Sequence, residues 1–201
     1  MKPIAELKFK FRGNRNYIHG PDIYRALSSL VPDEVKANAA SVQLSCNSMM
    51  NQNAIATLEW SKEGVADSIF TVKSKSNEVT PFVLYISAVE EDPEGRIPYD
   101  EDKATDGWVF SEEECSAELI DPNPEYTVLQ TIVAINKSFL SQLNGNPQGK
   151  WIFARIKGNG FFPTTCKSIR LLSKPTRSLR LVRSKIEIDG EPFGEIYFSL
   201  T

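Results

Sequence analysis

The stretch that decides the fold is residues 17–30, with the sequence YIHGPDIYRALSSL. It contains His19, the one histidine of the chain, directly before Gly20 and Pro21. Because Pro is favoured in the first turn of a helix and apolar side chains follow at helical spacing, this stretch predicts a helix, with Asp22 as one candidate for its N-cap. An imidazole has an unperturbed pKa of about 6.5 and exchanges protons at neutral pH, so a histidine at a helix entry is a candidate acid or base.

Length and composition limit the class of protein. The chain has 201 residues, of which 41% are hydrophobic and 24% charged, as in globular proteins with one large domain or two small ones. No apolar run reaches the roughly 20 residues of a membrane-spanning helix, and the amino terminus lacks a signal-peptide core. We therefore expect a cytoplasmic protein with no membrane partner. Three widely separated cysteines and one histidine do not form the usual zinc set, so no metal and no cofactor are expected.

The net charge of −3 hides a strong asymmetry along the chain. Acidic side chains dominate between residues 90 and 125, whereas every charged side chain between residues 150 and 185 is basic. Two interpretations stay open. In the first, the acidic segment is a solvated loop and the basic side chains lie on the outward faces of strands. In the second, the basic face receives an anionic ligand or partner.

Period-2 alternation and short apolar runs predict a fold rich in β-strands. The predicted strands cover residues 4–11, 39–47, 54–60, 68–73, 80–89, 127–134, 150–157, 168–172, 179–188 and 194–200, and a short second helix covers 137–143. Asp189 and Gly190 are a favoured hairpin signal between the last two strands, although Glu191 and Pro192 favour a somewhat longer loop. Residues 90–114 lack periodicity and are predicted to form a long excursion or linker.

The two halves of the chain share one order of elements, namely a strand, a turn, a short helix and then a run of strands. Residues 23–27 of the first helix correspond to residues 139–143 of the second, which has no histidine at its entry. Such a repeat indicates two related units. The order resembles the hotdog fold, in which a curved antiparallel sheet wraps one central helix. The resemblance implies an α+β double hotdog, with a first half at 1–89, an acidic linker at 90–125 and a second half at 126–201.

Hotdog enzymes bind acyl thioesters of coenzyme A or of acyl carrier protein where two units meet. The resemblance therefore implies a thioesterase-like or dehydratase-like activity. Dehydratases of this family place a catalytic histidine just before the first helix, near a Gly and a Pro, which is similar to the position of His19. On the second helix the family has Asp followed four residues later by Gln, whereas this chain has Ser138 and Gln142. Because a serine is a poor proton donor, this departure counts against dehydration, and Asp22 offers a carboxylate from the first half instead.

The resemblance also implies which other side chains contact a substrate. Tyr17 and Tyr24 flank the helix entry and are expected to line the substrate site. The phosphopantetheine phosphate of a thioester and the acidic surface of a carrier protein favour the late arginines Arg177, Arg180 and Arg183. Nucleic acid is the competing anion, because aromatic residues interleave with the basic strands. A sequence pI of about 5.4 is far below the strongly basic footprint of nucleic-acid binders, so nucleic acid is not the expected partner.

These observations predict a protein that binds an acyl thioester between its halves. In this hypothesis His19 orients or deprotonates water or a substrate carbon, Asp22 supports it, and the first helix directs its N-terminus at the thioester carbonyl. The alternative function is a non-enzymatic binding or assembly protein, with His19 facing solvent or backbone. The alternative architecture is a generic β-sandwich or another α+β fold. The acyl chain, the carrier and the oligomeric state, including a homo-oligomer, stay open.

Overall fold

The computed structural model describes residues 3–60, 66–76, 79–176 and 178–201. It is a mixed fold of antiparallel sheet and a few helices, as the predicted α+β class requires. The chain divides into two compact units. The first comprises the chain up to Tyr99 together with Asn159–Phe161, and the second comprises Asp100–Gly158 and Phe162–Thr201. That each unit is a hotdog stays a prediction.

The first unit contains an antiparallel sheet and the histidine-bearing helix. Its elements are β1 (Ala5–Leu7), β2 (Phe11–Arg12), α1 (Gly20–Leu30), α2 (Asp33–Ala37), β3 (Ala39–Cys46), β4 (Ala54–Thr57), β5 (Ser68–Ser74), β6 (Phe82–Ala88) and β7 (Arg96–Ile97). The sheet has the strand order β1-β4-β6-β5-β3, and β2 pairs separately with β7 in parallel. The strand predicted at residues 4–11 is therefore two short strands, which belong to different sheets.

The apolar stripe of α1 is part of the core of the first unit. Ile23 and Leu27 are 3% and 0% exposed, and Tyr24 packs edge-on against Phe70 of β5 with 5.4 Å between ring centroids. Alternation along β5 turns Phe70 and Val72 inward, where both are buried. The amphipathic helix predicted from the spacing of these side chains is confirmed.

The described residues of the second unit form a six-stranded antiparallel sheet and a long helix. Its elements are α3 (Glu101–Ala104), β8 (Val109–Ser111), β9 (Ser116–Ile120), α4 (Val128–Leu143), β10 (Trp151–Gly158), β11 (Ser168–Leu172), β12 (Val182–Ile188) and β13 (Glu191–Leu200). The strand order is β10-β13-β12-β11-β9-β8. Of the helices in the described ranges, none combines the length and the hydrophobicity that a membrane crossing requires.

The long helix α4 corrects the sequence prediction. The strand predicted at residues 127–134 is wrong, because this segment and the helix predicted at 137–143 are one helix. Thr127 caps it: the threonine hydroxyl accepts a hydrogen bond from the backbone N–H of Gln130, and the Gln130 side chain accepts one from the backbone N–H of Thr127. This capping box starts a helix despite the β-branched residues that follow. Eleven of the sixteen residues of α4 are buried, so the helix lacks the polar stripe that identifies an amphipathic helix.

The last two strands form a hairpin with a two-residue turn. Asp189 and Gly190 have φ values of 54° and 82°, as a type I′ turn requires, and β13 begins directly at Glu191. The predicted hairpin is therefore confirmed, without the longer loop. The Asp189 carboxylate also accepts hydrogen bonds from the backbone N–H groups of Lys167 (2.6 Å) and Ser168 (2.9 Å), which fixes the turn to the start of β11.

The acidic segment predicted as a linker at residues 90–125 belongs to both units. In the first unit β7 pairs with β2, and in the second β9 pairs with β11 while β8 pairs with β9. These strands are two to five residues long, too short for their periodicity to stand out in the sequence. The two compact units divide between Tyr99 and Asp100. The organisation into two halves joined by an acidic linker stays a prediction.

Gly194 of β13 lies so close to β10 that no side chain fits. A Cβ atom there would lie 2.1 Å from the carbonyl oxygen of Lys157 and 2.9 Å from the Cα of Gly158. Because both are backbone atoms, the two strands must separate to admit it. We expect Gly194→Ala to lower the free energy of unfolding by about 3 kcal/mol, measured by urea denaturation. Ser199→Ala on the same strand, which adds no atoms, is the control, and an equal effect of the two variants would contradict this explanation.

Candidate functional site

His19 is the N-cap residue of α1. Its backbone is extended, and its carbonyl oxygen accepts hydrogen bonds from the N–H groups of Asp22 (2.8 Å) and Ile23 (3.3 Å). Pro21 has no N–H group and a φ suited to the first turn, so the helix begins before Asp22 and not at it. His19 is only 3% exposed, so the imidazole is buried and does not face solvent.

Tyr99 packs against the imidazole of His19. The two ring centroids are 5.1 Å apart, with an interplanar angle of 57°. The guanidinium groups of Arg15 and Arg12 lie 4.8 Å and 5.8 Å from the centroid of the Tyr99 ring, within the range of cation–π interactions. Arg96 of β7 donates hydrogen bonds to two backbone carbonyls of the turn after β2, at 3.0 Å and 2.7 Å. Two arginines, Arg12 and Arg15, therefore lie near the tyrosine that contacts His19.

The carboxylate of Asp22 is bound to Arg12. Arg12 Nε lies 2.6 Å from Asp22 Oδ2, and an Arg12 terminal nitrogen lies 2.7 Å from Oδ1, which makes a bidentate pair. Both side chains are buried, with 10% and 8% of their surface exposed. The hydrogen bond to Asp22 raises the pKa of Arg12 above its usual value, while burial opposes that rise. Arg25 approaches the same carboxylate at 3.6 Å from the surface. Asp22 therefore anchors the first turn of α1 to β2.

The two predicted wall residues of the helix entry differ in their burial. Tyr24 is buried and contacts Phe70 of β5, whereas Tyr17 is half-buried in the segment before α1. The first unit thus brings His19, Asp22 and Tyr24 together at the start of one helix. Their roles toward a substrate stay predictions.

The predicted site residues of the second unit lie on α4 and near β12. Ser138 is half-buried and Gln142 is exposed near the end of α4. Arg180 and Arg183 are exposed, and the Arg183 guanidinium forms an ion pair with a carboxylate of β13 at 3.2 Å. Arg177 lies outside the described residues. Contact of these side chains with a substrate also stays a prediction.

Asn136 is a buried polar residue of α4 that the sequence reasoning missed as a site candidate. It is 0% exposed, and neither its amide nitrogen nor its amide oxygen has a hydrogen-bond partner among the described residues. Thr131 on the same helix and Ser184 on β12 have buried hydroxyl groups that also lack a hydrogen-bond partner among the described residues. A buried amide without a partner is costly, which makes Asn136 a residue whose contribution to stability should be tested. The sequence signal is an asparagine directly after an apolar run.

The thiol and carboxylate groups do not form a metal site in the part of the chain that the structure describes. The three cysteines are free thiols. Burial raises the pKa of the Cys46 thiol to about 11, and burial, with a smaller contribution from Asp189, raises the pKa of Cys166 to about 11. At neutral pH both thiols are protonated, which makes them poor nucleophiles.

Comparison with known proteins finds similar structures but no similar family. No family model matches the chain, and no curated protein matches it. A tesB protein from Mycobacterium avium subs paratuberculosis is 14% identical, with coverage of 96% of this chain and 91% of that chain and a TM-score of 0.49. A thioesterase II from Thermobifida fusca YX is 7% identical, with coverage of 94% and 88% and a TM-score of 0.49. A dehydratase-cyclase domain of ambruticin biosynthesis is 10% identical, with coverage of 90% and 81% and a TM-score of 0.41.

Thioesterases and a dehydratase are also among the classes of protein that the sequence resemblance names. The identities and TM-scores describe a loose similarity of fold, and they assign neither an activity nor a substrate to this chain.

Loss of the Asp22 carboxylate should destabilise the first unit. Asp22→Asn leaves the buried guanidinium of Arg12 without a counter-charge, and breaking such a pair typically costs about 3–5 kcal/mol. We expect the midpoint of urea unfolding to fall strongly in Asp22→Asn and much less in Asp33→Asn, which removes an exposed carboxylate from α2. If the Arg12→Leu/Asp22→Leu double variant is as unstable as Asp22→Asn, the unpaired charge is not the cause.

Asn136→Leu should raise the stability of the protein. The substitution replaces an amide without partners among the described residues by an apolar side chain of similar size, and we expect a gain of about 1–3 kcal/mol in the free energy of unfolding. Gln142→Leu on the exposed end of α4 is the matched control and should leave stability nearly unchanged. A loss of stability in Asn136→Leu would show instead that the native amide is satisfied, for example by a buried water.

Proposed function

We propose that this protein hydrolyses acyl thioesters, with His19 as the general base. The observation that carries the proposal is the position of the only imidazole of the chain, buried at the N-terminus of α1. The substrate class comes from the sequence resemblance to acyl-thioester hotdog enzymes. Coenzyme A and acyl carrier protein remain equal candidates for the thiol component.

In the proposed reaction His19 takes a proton from water as the water oxygen attacks the thioester carbonyl. The C–S bond then breaks, and the departing thiolate receives the proton from the imidazolium, which leaves a carboxylic acid and a free thiol. General base catalysis by a positioned histidine contributes about 10²–10⁴-fold to such a step. The N-terminus of α1 favours the negative charge that develops on the carbonyl oxygen.

Asp22 takes a supporting role in this proposal. Its carboxylate is held by Arg12 in a bidentate ion pair, so it keeps the first turn of α1 in place and does not act as the base itself. Tyr17 and Tyr24 are proposed as walls of the substrate site. On α4, Ser138 and Gln142 are proposed as secondary contacts. Dehydration of a 3-hydroxyacyl thioester is the less favoured reaction, because Ser138 stands where the dehydratases have an acid.

A second candidate function is a binding or assembly role without catalysis. Two observations favour it: His19 is 3% exposed, and the one carboxylate in the first turn of α1 is already bound to Arg12. A buried histidine beside a carboxylate that is already ion-paired is also consistent with a purely structural role as a helix cap. The proposed cytoplasmic location and the oligomeric state do not distinguish the two functions.

The test is turnover of a panel of acyl-coenzyme A and acyl-carrier thioesters, followed by mass spectrometry. We expect free acid from the wild type, and a loss of at least about 100-fold in kcat/KM for His19→Asn, which keeps a polar planar side chain but cannot act as a base near neutral pH. Ser29→Ala on the exposed face of α1 is the matched control and should keep full activity.

Other outcomes of this experiment are equally informative. Loss of water from a 3-hydroxyacyl thioester would replace hydrolysis by dehydration. Intact thioesters that nevertheless bind would support the non-catalytic function. Equal turnover by wild type and His19→Asn would reject His19 as the base.

A further inference from the structure

A cleft of about 550 Å³ opens in the second unit. It lies where β11 ends and β12 begins, beside the turn that connects β8 to β9. Its walls include Glu114, Leu172, Lys174, Leu181, Arg183 and Lys185. The volume is in the range of clefts that hold a small organic molecule.

Among the described residues, three cations line this cleft, and two of them form no ion pair there. Arg183 pairs with Glu195 at 3.2 Å, and the other oxygen of Glu195 accepts a hydrogen bond of 2.6 Å from Tyr197. Lys185 lies opposite Glu195 in the strand register, but the oxygens of that carboxylate are already engaged. Neither Lys185 nor Lys174 forms an ion pair with any residue in the described ranges, and both side chains are exposed.

Among the described wall residues, the carboxylate of Glu114 is paired with Arg170, which lies outside the wall and also approaches Glu187 at 3.6 Å. Glu114 accepts a hydrogen bond of 2.8 Å from Arg170, and the hydroxyl of Ser116 donates to the same oxygen at 3.3 Å. The cleft therefore presents positive charge to a ligand. Leu172, Leu181 and Val182 add an apolar surface, and Leu181 is 51% exposed although it is a large hydrophobic residue.

We propose that this cleft binds a small organic phosphate whose phosphate group contacts Lys174 and Lys185 and whose apolar part lies on the leucines. A phosphate carries about −1.5 to −2 charges at pH 7 and offers three acceptor oxygens, which suits two lysines and a nearby arginine better than a single carboxylate does. The inference does not depend on the proposed function, because the cleft is described within the second unit alone and its test uses no thioester.

The surroundings of the cleft favour a small anion over a nucleic acid. Nucleic-acid binding needs a long run of phosphate contacts, whereas here carboxylates lie among the cations: Glu114 in the turn between β8 and β9, Glu187 on β12 and Glu195 on β13. An extended polyanion would meet these carboxylates as well as the lysines. A single phosphate on a small body fits between them.

The experiment measures binding of 2-naphthyl phosphate to the full chain by isothermal titration calorimetry. Inorganic phosphate and 2-naphthol are the comparison ligands, since each carries one half of the proposed recognition. We expect Lys174→Gln and Lys185→Gln to weaken binding by about fivefold each, and the double variant to weaken it further. Raising NaCl from low to physiological concentration should weaken binding by wild type, because exposed charges are screened.

Lys150→Gln is the matched control, since Lys150 is an exposed lysine of the same unit outside the cleft, and it should bind like the wild type. Circular dichroism checks that each variant keeps its fold, and the Lys→Arg variants at both positions should restore binding. The proposal is overturned if 2-naphthyl phosphate does not bind. It is equally overturned if 2-naphthol or inorganic phosphate binds as tightly as 2-naphthyl phosphate. It is also overturned if the double variant matches Lys150→Gln.

Discussion

The first unit depends on one buried ion pair, between Arg12 and Asp22. Removing two charges from water costs several kcal/mol for each ion, and that cost is recovered only when the geometry is close to ideal. The bidentate contact meets this condition, and it joins β2 to the first turn of α1. The pair therefore holds the first turn of α1, which follows His19, against β2.

Positive charge and helix polarity act together at this place. The N-terminus of α1 carries a partial positive charge, and the guanidinium groups of Arg12 and Arg15 lie near the face of Tyr99. In a site that excludes water, such charges act more strongly than at the surface. A site of this kind stabilises an electron-rich group, whether it is the oxygen of a reacting carbonyl or the π-face of an aromatic ring.

Sequence reasoning predicted the elements whose periodicity is pronounced and missed those whose periodicity is weak. The apolar stripe of α1 and the alternation of β5 can both be recognised from the spacing of their apolar residues, so the sequence predicts both elements. The sequence predicts a strand at the start of α4, because a helix buried on most sides has the composition of a central strand. Only the capping box of Thr127 and Gln130 distinguishes it. The ion pair between Asp22 and Arg12 cannot be predicted from the sequence, because only the folded structure brings the two residues into contact.

The type I′ turn at Asp189 and Gly190 has a consequence for the order of folding. β12 and β13 are neighbours in the sequence, and they also occupy the middle of the strand order β10-β13-β12-β11. A hairpin of this type closes within about 10 μs because its loop is minimal, whereas β10 and β11 must be brought from further along the chain. Among the described strand pairings of the second sheet, this hairpin therefore has the lowest entropic cost of loop closure.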